Sequence, residues 1–302
     1  MIERVCVVGA GVIGSLFAAH LGRACDVSVL CRREEHARAL SAHGLRVTGK
    51  HEFVSSVAAA TSPSELAEPD LVIVATKATG LEDAASALAG RWSKAAVMTV
   101  QNGLGAEEVV GRYGDWPLLS AVTFMSGTKQ SDTHVEYILD TETWLGPYGP
   151  TPFPLVQQAG DLIVRSGLKA EVLPDLRPAQ WSKLIFNATV NGVATLTGLP
   201  HDLHFSEGQL GQLVHGMIDE GKAVARAAGI ELHDDPWEMN VLATKRGSAH
   251  FPSMLEDVEA ARPTEVELIN GALVGQAREH GIDAPLQAAV YALVRGREAS
   301  YS

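Results

Sequence analysis

One glycine-rich turn near the N-terminus restricts this 302-residue chain more than any other feature. The sequence GAGVIG, residues 9–14, follows the apolar run VCVV directly and precedes an apolar helical segment. In this spacing the first glycine permits a tight turn, the second lets the backbone approach a pyrophosphate, and the third allows close packing of helix on strand. The stretch therefore predicts a dinucleotide site with the phosphates at the helix N-terminus, formed by Gly9, Ala10, Gly11, Val12, Ile13 and Gly14. The alternative is a glycine-rich turn that binds no ligand.

The end of the second strand indicates which dinucleotide is bound. Proteins that bind NAD usually have an acidic residue at this position, which binds the ribose 2′-hydroxyl. This chain instead has Cys31, Arg32 and Arg33. Because a guanidinium pairs bidentately with phosphate, the sequence predicts NADP, with Arg32 favoured over Arg33 as the ligand of the 2′-phosphate. For either arginine, the alternative is a solvated residue at the start of the next helix.

Strand-like and helix-like segments alternate in the first half of the chain. Short apolar runs at 5–8, 26–31, 70–76, 96–100 and 118–124 are typical of buried parallel strands. Helical segments lie between them, which predicts an α/β Rossmann-type doubly wound sheet. HVEYILD (134–140) and TETWLG (141–146) predict a hairpin at a sheet edge. From about residue 175 helical periodicity dominates, so we expect a nucleotide-binding domain over 1–174 and an all-α domain over 175–302.

A polar ridge interrupts the most apolar segment of the second half, QWSKLIFNATVNGVATLTG (180–198). Lys183, Asn187 and Asn191 follow one another at intervals of four residues, which places them on one face of a helix. Burying them without partners costs on the order of 1–3 kcal/mol each, and more for a charged lysine. A ridge that faces a polar substrate removes this cost. The alternative is a stripe whose partners are other helices or water.

Two strand ends supply further candidates. Lys77 follows the strand at 70–76, and Asn102 follows the strand at 96–100. Because ligands of open α/β sheets bind at the carboxyl ends of the strands, both side chains are expected to reach a bound cofactor. A surface lysine and a turn asparagine before glycine are the corresponding structural alternatives.

The segment SMLEDVEAARPTEVELING (253–271) holds two more candidates. Pro263 predicts the first turn of a helix and places Glu265 near that helix's N-terminus, where the dipole favours a carboxylate. Ser253 is expected in a loop or short turn upstream. Taken alone, Glu265 is an acidic first-turn residue. The carboxylates of LEDVE (255–259) indicate a solvated helix face in preference to a metal site.

The overall charge excludes several partners. The formal net charge is −12, which argues against a nucleic-acid or anionic-membrane surface, and no apolar run reaches the ~18 residues of a membrane span. Three cysteines without a CxxC pattern predict reduced thiols in the cytoplasm. The only close histidine pair, His201 and His204, lacks the spacing of a metal site, so no metal is expected. The oligomeric state is left open, with a homodimer among the alternatives.

Together, GAGVIG, ATKA (75–78), QNGLG (101–105), WSKLIFNATVN (181–191) and SMLEDVEAARPTEVELING resemble the ketopantoate reductases, in the 6-phosphogluconate dehydrogenase-like superfamily. The resemblance covers nearly the whole chain. It implies a Rossmann domain, a helical C-terminal domain and an active site in the cleft between them. It also implies NADPH-dependent reduction of a small 2-oxo acid, 2-dehydropantoate, to (R)-pantoate, a step towards pantothenate and coenzyme A.

The resemblance also assigns roles to the candidate residues. It makes Lys183 the catalytic lysine that protonates the ketone oxygen, and Glu265 the carboxylate that orders the lysine and nicotinamide side of the site. Asn187, Asn191 and Ser253 become substrate-binding residues. Lys77 and Asn102 line the cofactor, with Asn102 also beside the substrate.

Two departures from the family pattern keep alternatives open. Pro252 stands where members often have a serine, and Gly192 stands where many have a proline. Neither change removes a candidate side chain, but both are compatible with a paralogous reductase of another 2-oxo acid or an imine. A non-catalytic NADP-sensing module would keep GAGVIG and Arg32 but would have no need of Lys183 and Glu265.

Overall fold

The structure, a computed structural model, describes residues 1–245 and 251–301. Its residue contacts divide the chain into two compact units. The first unit contains Met1–Gln101 and Ala106–Leu176, and the second contains Asn102–Gly105 together with the chain from Arg177 onward. A single domain boundary at 174/175 stays a prediction, and it does not anticipate that Asn102–Gly105 groups with the second unit.

The first unit contains twelve strands. In chain order they are β1 (Arg4–Val8), β2 (Asp26–Leu30), β3 (Leu45–Gly49), β4 (Phe53–Ser55), β5 (Ala58–Ala60), β6 (Leu71–Val74), β7 (Ala96–Thr99), β8 (Leu118–Thr123), β9 (Ser126–Ser131), β10 (His134–Leu139), β11 (Thr143–Tyr148) and β12 (Ala170–Val172). The larger sheet has the order β12-β11-β8-β7-β6-β1-β2-β5. Neighbours from β5 to β8 are parallel, and β11 runs antiparallel to β8. This topology confirms the doubly wound α/β prediction.

Five α-helices accompany these strands: α1 (Val12–Leu21), α2 (Glu34–His43), α3 (Leu81–Leu88), α4 (Ala106–Gly111) and α5 (Phe153–Arg165). The strands β6 and β7 are buried at every position, as expected for parallel strands covered on both faces. Helix α1 is buried from Gly14 to Leu21, because it packs against strands of both sheets. The apolar character of its sequence follows from this double burial.

A second sheet accounts for the main error of the topology prediction. Four strands form it in the order β4-β3-β10-β9, with β10 parallel to β3 and antiparallel to β9. The predicted hairpin between 134–140 and 141–146 is therefore wrong, because β10 belongs to this small sheet and β11 pairs with β8 in the large one. The true hairpin joins β9 to β10 one strand earlier. Val135 and Tyr137 of β10 are fully buried, so the small sheet contributes to the core of the first unit.

The described part of the second unit contains helices and no strand, which confirms the all-α prediction. Its α-helices are α6 (Arg177–Thr197), α7 (Gly208–Ala227), α8 (Pro236–Thr244), α9 (Ser253–Glu259), α10 (Ala272–Glu279) and α11 (Pro285–Ala299), with a π-helical turn at Glu267–Gly271. Helix α6 contacts each of the other five. Such a central position explains why α6 is apolar on nearly every face.

Candidate active site

The predicted polar ridge lies on the central helix of the second unit. Lys183, Asn187 and Asn191 occupy one face of α6, with 9%, 8% and 6% of their surfaces exposed. Their neighbours Leu184 and Val190 are buried in the apolar core. Three polar side chains therefore sit at the edge of a packed core, where each needs a polar partner.

Two of those partners come from separate segments of the chain. The side-chain amide of Asn102 donates a 2.9 Å hydrogen bond to Oε2 of Glu265. Asn187 in turn donates to Oδ1 of Asn102 over 3.5 Å. Because Asn102 accepts at one end of its amide and donates at the other, its orientation is set by this network. The structure thus brings together Asn102, Asn187 and Glu265, whose proximity the sequence alone did not establish.

Lys183 belongs to the same electrostatic environment. Burial lowers the pKa of its ammonium to about 8, and the negative charge of Glu265 opposes that shift. This pKa lies well below the value of ~10.4 that an exposed lysine has. With a pKa of about 8, Lys183 is protonated in most molecules at pH 7. It releases its proton more easily than an exposed lysine does.

The segment Asn102–Gly105 reaches this network by lying directly on the π-helical turn. The backbone amide of Leu104 donates a 2.9 Å hydrogen bond to the carbonyl of Leu268. Gly103 has a φ of +95°, and a Cβ there would lie 1.8 Å from that same carbonyl oxygen. Only glycine permits this approach, so Gly103 is the residue that allows Asn102 to reach Glu265.

The helix after Glu265 begins later than the sequence predicts. Pro263 does not form its first turn, because helical geometry starts only with the π-helical turn at Glu267. Thr264 accounts for the delay: its hydroxyl accepts a 3.1 Å hydrogen bond from the amide of Val266 and stabilises a non-helical conformation. The carbonyl of Glu265 accepts the 3.1 Å bond from the amide of Ile269, so Glu265 still flanks the helix start.

Ser253 lies on a helix and not in the expected loop or turn. It is the exposed first residue of α9 and follows Pro252, whose fixed φ suits the position before a helix. Helix α9 packs against α6, the helix that carries the polar ridge.

The expectation of a solvated face at LEDVE is wrong for its central carboxylate. Glu256 and Glu259 are exposed, but Asp257 is buried. The Nε of Arg262 donates to Oδ1 of Asp257 over 3.0 Å, so a charge partner accompanies this burial. The prediction failed because the arginine lies outside the helix and helical spacing does not reveal it.

In the first unit, the glycine-rich turn has the tight geometry that its motif predicts. Gly9 has a φ of +100°, and a Cβ there would lie 2.9 Å from the amide nitrogen of Thr76. A Cβ on Gly14 would lie 1.9 Å from the carbonyl oxygen of Gly9. By contrast, a Cβ on Gly11 would meet nothing within 4 Å, so the open side of the turn is at the N-terminus of α1. Such a turn can hold a phosphate on the first amides of the helix.

A glutamine that the sequence reasoning did not select ties the neighbouring strand ends together. The side-chain amide of Gln101 donates 2.9 Å hydrogen bonds to the carbonyls of Val74 and Thr76. These bonds connect the ends of β6 and β7 at the carboxyl edge of the sheet. Lys77 follows this junction and is exposed.

The two candidate arginines differ in their surroundings. Both are exposed, but Nη2 of Arg33 lies 2.5 Å from Oδ1 of Asp132, in the turn between β9 and β10. Within residues 1–245 and 251–301, Arg32 forms no ion pair, which leaves its guanidinium available to an anion.

A lysine from the small sheet was missed entirely. The ammonium of Lys129, on β9, donates to the carbonyl oxygen of Ala10 inside the glycine-rich turn and lies 3.5 Å from the hydroxyl of Ser15. Lys129 is separated from Ala10 by 119 residues, and no motif marks it. A prediction that omitted the second sheet could not place it there.

The described residues contain no cluster of three metal-ligating side chains. His201, instead, lies 2.8 Å from Oδ1 of Asn240, and His204 lies 2.8 Å from Asp202. Among the described helices, none is long and apolar enough to cross a membrane. All three cysteines are free thiols.

A doubly wound sheet with an open glycine-rich turn, joined to a helical unit that holds a buried lysine and a carboxylate, defines the class of dinucleotide-dependent oxidoreductases. Two family models agree with this class. One, described as ketopantoate reductase PanE/ApbA, matches residues 5–150, and the other, described as its C-terminal part, matches residues 175–298. The chain belongs to the ketopantoate reductase family and is an oxidoreductase.

Individual proteins match along the whole chain. A 2-dehydropantoate 2-reductase of Pyrococcus abyssi is 26% identical over 300 residues, which cover 98% of each chain. The crystal structure of a PanE/ApbA family ketopantoate reductase from Ralstonia eutropha JMP134 is 25% identical, with a TM-score of 0.89 over 99% of each chain. A D-mandelate dehydrogenase, solved with NADH and anilino(oxo)acetate, has the same TM-score at 22% identity over 99% of each chain and therefore shows a shared fold alone.

Proposed function

We propose that the protein reduces 2-dehydropantoate to (R)-pantoate with NADPH, a step in the synthesis of pantothenate and coenzyme A. The observation that carries the proposal is Lys183, buried on α6 with a pKa of about 8 beside the network of Glu265, Asn102 and Asn187. The proposal includes the interdomain cleft that the family resemblance implies. The names of relatives such as the Pyrococcus abyssi protein support the substrate.

The proposed chemistry assigns each residue of the network a task. The nicotinamide, when bound, supplies a hydride to the ketone carbon, and the ketone oxygen gains negative charge. Lys183 stabilises that charge and then gives its proton to the oxygen, which completes the alcohol. Glu265 keeps the ammonium protonated near neutral pH, because its charge raises the lysine pKa. Asn187, Asn191 and Ser253 are proposed to hold the substrate, with its carboxylate attracted by Lys183.

The first unit is proposed to hold the cofactor. The open space beside Gly11, at the N-terminus of α1, fits a pyrophosphate that the backbone of residues 9–14 would bind. Arg32 would bind the 2′-phosphate, since Arg33 is paired with Asp132. Lys77 and Asn102 would line the ribose and nicotinamide. We therefore expect Arg32→Ala to weaken NADPH binding about 10- to 100-fold and to leave NADH binding unchanged.

A second candidate differs only in the substrate. The D-mandelate dehydrogenase that shares this fold has a different substrate in its name and was solved with NADH and anilino(oxo)acetate. A paralogous reductase of another 2-oxo acid or an imine would use the same lysine and the same turn. The departures at Pro252 and Gly192 are compatible with such a paralogue.

One experiment separates these candidates. Initial rates of NADPH oxidation are measured with 2-dehydropantoate, with a panel of aliphatic and aromatic 2-oxo acids and with cyclic imines, and each is repeated with NADH. We expect the highest kcat/KM for 2-dehydropantoate with NADPH. A higher kcat/KM for another oxo acid would assign the paralogous activity, and NADPH binding without oxidation by any compound would support a sensing module.

The state of the cysteines supports a proposal for the cellular compartment. Cys6, Cys25 and Cys31 are free, and burial raises the pKa of the Cys6 thiol to about 12, which makes it unreactive. Free, unreactive thiols are typical of a reducing compartment. We propose that the enzyme works in the cytoplasm.

A further inference from the structure

Lys129 is a partly buried cation of the first unit, and the only carboxylate whose charge is resolved as acting on it within the described residues, Asp132, forms no ion pair with it. Its side chain is partly buried, and among the described residues it forms no ion pair with a carboxylate. Its neighbours are the carbonyl oxygen of Ala10 and the hydroxyl of Ser15, both neutral. Burial lowers the pKa of the Lys129 ammonium, and the charge of Asp132 opposes that shift only in part. A lysine placed in this way would be stabilised by an anionic ligand.

The neighbouring histidine cannot serve as a hydrogen-bond acceptor for Lys129. Nε2 of His36 lies 2.9 Å from the carbonyl oxygen of Asp132, and because a carbonyl only accepts, this nitrogen carries the hydrogen. The ammonium of Lys129 lies 3.4 Å from the same nitrogen, so two donors face each other. An ammonium has three donors, and Ala10 and Ser15 use two of them.

The carboxylate of Asp132, which acts electrostatically on Lys129, is already paired with another cation. Oδ1 of Asp132 lies 2.5 Å from Nη2 of Arg33 and 3.7 Å from Nδ1 of His36. The hairpin of β9 and β10 therefore carries both a cation, Lys129, and an anion, Asp132. Asp132 pairs with Arg33, and among the described residues Lys129 forms no ion pair.

The location of Lys129 indicates which phosphate it would meet. It touches Ala10, in the turn after β1, and His36, in the first turn of α2. In a doubly wound fold the ribose 2′-position lies at the carboxyl end of β2, between these two elements. Arg32 follows the end of β2 at this place. The pyrophosphate, by contrast, is expected on the first amides of α1.

We propose that Lys129 is a second cation for the 2′-phosphate of NADPH, acting together with Arg32, and that Asp132 holds Arg33 out of that site. This inference rests on the proposed use of NADPH. It assigns a cofactor-selecting role to a hairpin of the small sheet, which lies outside the glycine-rich motif and the end of β2. It also resolves the choice between the two arginines in favour of Arg32.

The test measures dissociation constants of NADPH and NADH by cofactor fluorescence for the whole protein. In Lys129→Met we expect NADPH binding to weaken about 10- to 100-fold, while NADH binding stays within twofold of the wild-type value. Lys129→Arg keeps the charge and should retain most of the NADPH affinity. The matched control is Lys50→Met, an exposed lysine of the same unit, for which both constants should be unchanged.

Asp132→Asn gives an independent measurement should the methionine variant fail to fold. Removing this negative charge and releasing Arg33 should tighten NADPH binding about 3- to 10-fold and leave NADH binding unchanged. Equal weakening of both cofactors in Lys129→Met would overturn the 2′-phosphate assignment, as would unchanged NADPH binding in either variant. A wild-type preference for NADH would overturn the proposed cofactor itself, whereas a wild-type NADPH preference that Lys129→Met retains would overturn only this inference.

Discussion

The carboxylate of Glu265 accepts a 2.9 Å hydrogen bond from the side chain of Asn102, a residue 163 positions earlier in the chain. The same carboxylate acts electrostatically on Lys183 and raises its pKa against the effect of burial. Asn102 thus holds in place the charge that opposes the effect of burial on the pKa of Lys183. The proposed catalytic step depends on this relationship, and a pH profile can measure it.

Glu265→Gln should move the pH dependence of the reaction. Lys183 must be protonated to donate, so kcat/KM for ketone reduction is full below its pKa and declines as the pH rises through about 8. Replacing Glu265 by its neutral isostere removes the charge that raises this pKa, so the decline should begin at lower pH. The measurement is kcat/KM with 2-dehydropantoate at constant ionic strength, from about three pH units below to about two above the lysine pKa of about 8.

Glu267→Gln is the control for that experiment. Glu267 lies two residues away, is exposed, and interacts with Tyr291 and Arg295 instead of the network around Lys183. Its substitution should leave the inflection at its wild-type pH. Equal shifts in both variants, or none in Glu265→Gln, would show that Glu265 does not set the lysine pKa.

Lys183→Ala should lower turnover ~10²–10⁴-fold, which corresponds to roughly 3–5 kcal/mol of barrier. The loss is expected because Lys183 is the group proposed to donate the proton to the reduced oxygen. NADPH affinity should change little, since the cofactor phosphates are proposed to bind in the first unit. Steady-state kinetics and NADPH titration check both statements, and Lys222→Ala, another lysine of the same unit that pairs with Asp235, should retain wild-type turnover. Near-normal turnover in Lys183→Ala would show that Lys183 is not the proton donor.

Gly103→Ala should destabilise the protein and displace Asn102. A Cβ at this position would lie 1.8 Å from the carbonyl oxygen of Leu268, and the φ of +95° adds backbone strain. Gly229→Ala is a matched control, because Gly229 has a φ of +71° but a Cβ there would meet no atom within 4 Å. The control should cost about 1–2 kcal/mol of unfolding free energy. Gly103→Ala should cost more and also lower kcat/KM, as measured by urea unfolding and initial rates.

Local sequence patterns predicted much of the architecture. The strands β1, β2, β6, β7 and β8 were found because parallel strands covered on both faces read as continuous apolar runs. Helix α6 and its polar ridge followed from helical spacing, since Lys183, Asn187 and Asn191 share a face by geometry alone. Predictions of this kind depend only on residues close together in the chain.

The features that the sequence did not reveal depend on distant contacts. In the small sheet β3 pairs with β10, which brings Arg46 beside His134, 88 positions later in the chain. The periodicity of either segment does not predict such a pairing. Lys129 and Asp132 were missed for this reason. The pKa of Lys183 is lowered by burial, which depends on how distant helices pack. The segment containing Gly103 rests on a π-helical turn that no periodicity predicted.

Asn191→Ala should separate a substrate-binding role from a structural one. Only 6% of the surface of Asn191 is exposed. None of the described residues, however, forms a hydrogen bond with its side chain. Its removal therefore breaks no internal hydrogen bond, and we expect unfolding free energy to change by less than about 1 kcal/mol. If its amide instead binds the substrate, KM for 2-dehydropantoate should rise about 10-fold or more while NADPH affinity stays constant. Loss of stability with an unchanged KM would assign Asn191 to the packing of α6, and Asn187→Ala, which loses a hydrogen bond to Asn102, gives the comparison for a residue inside the network.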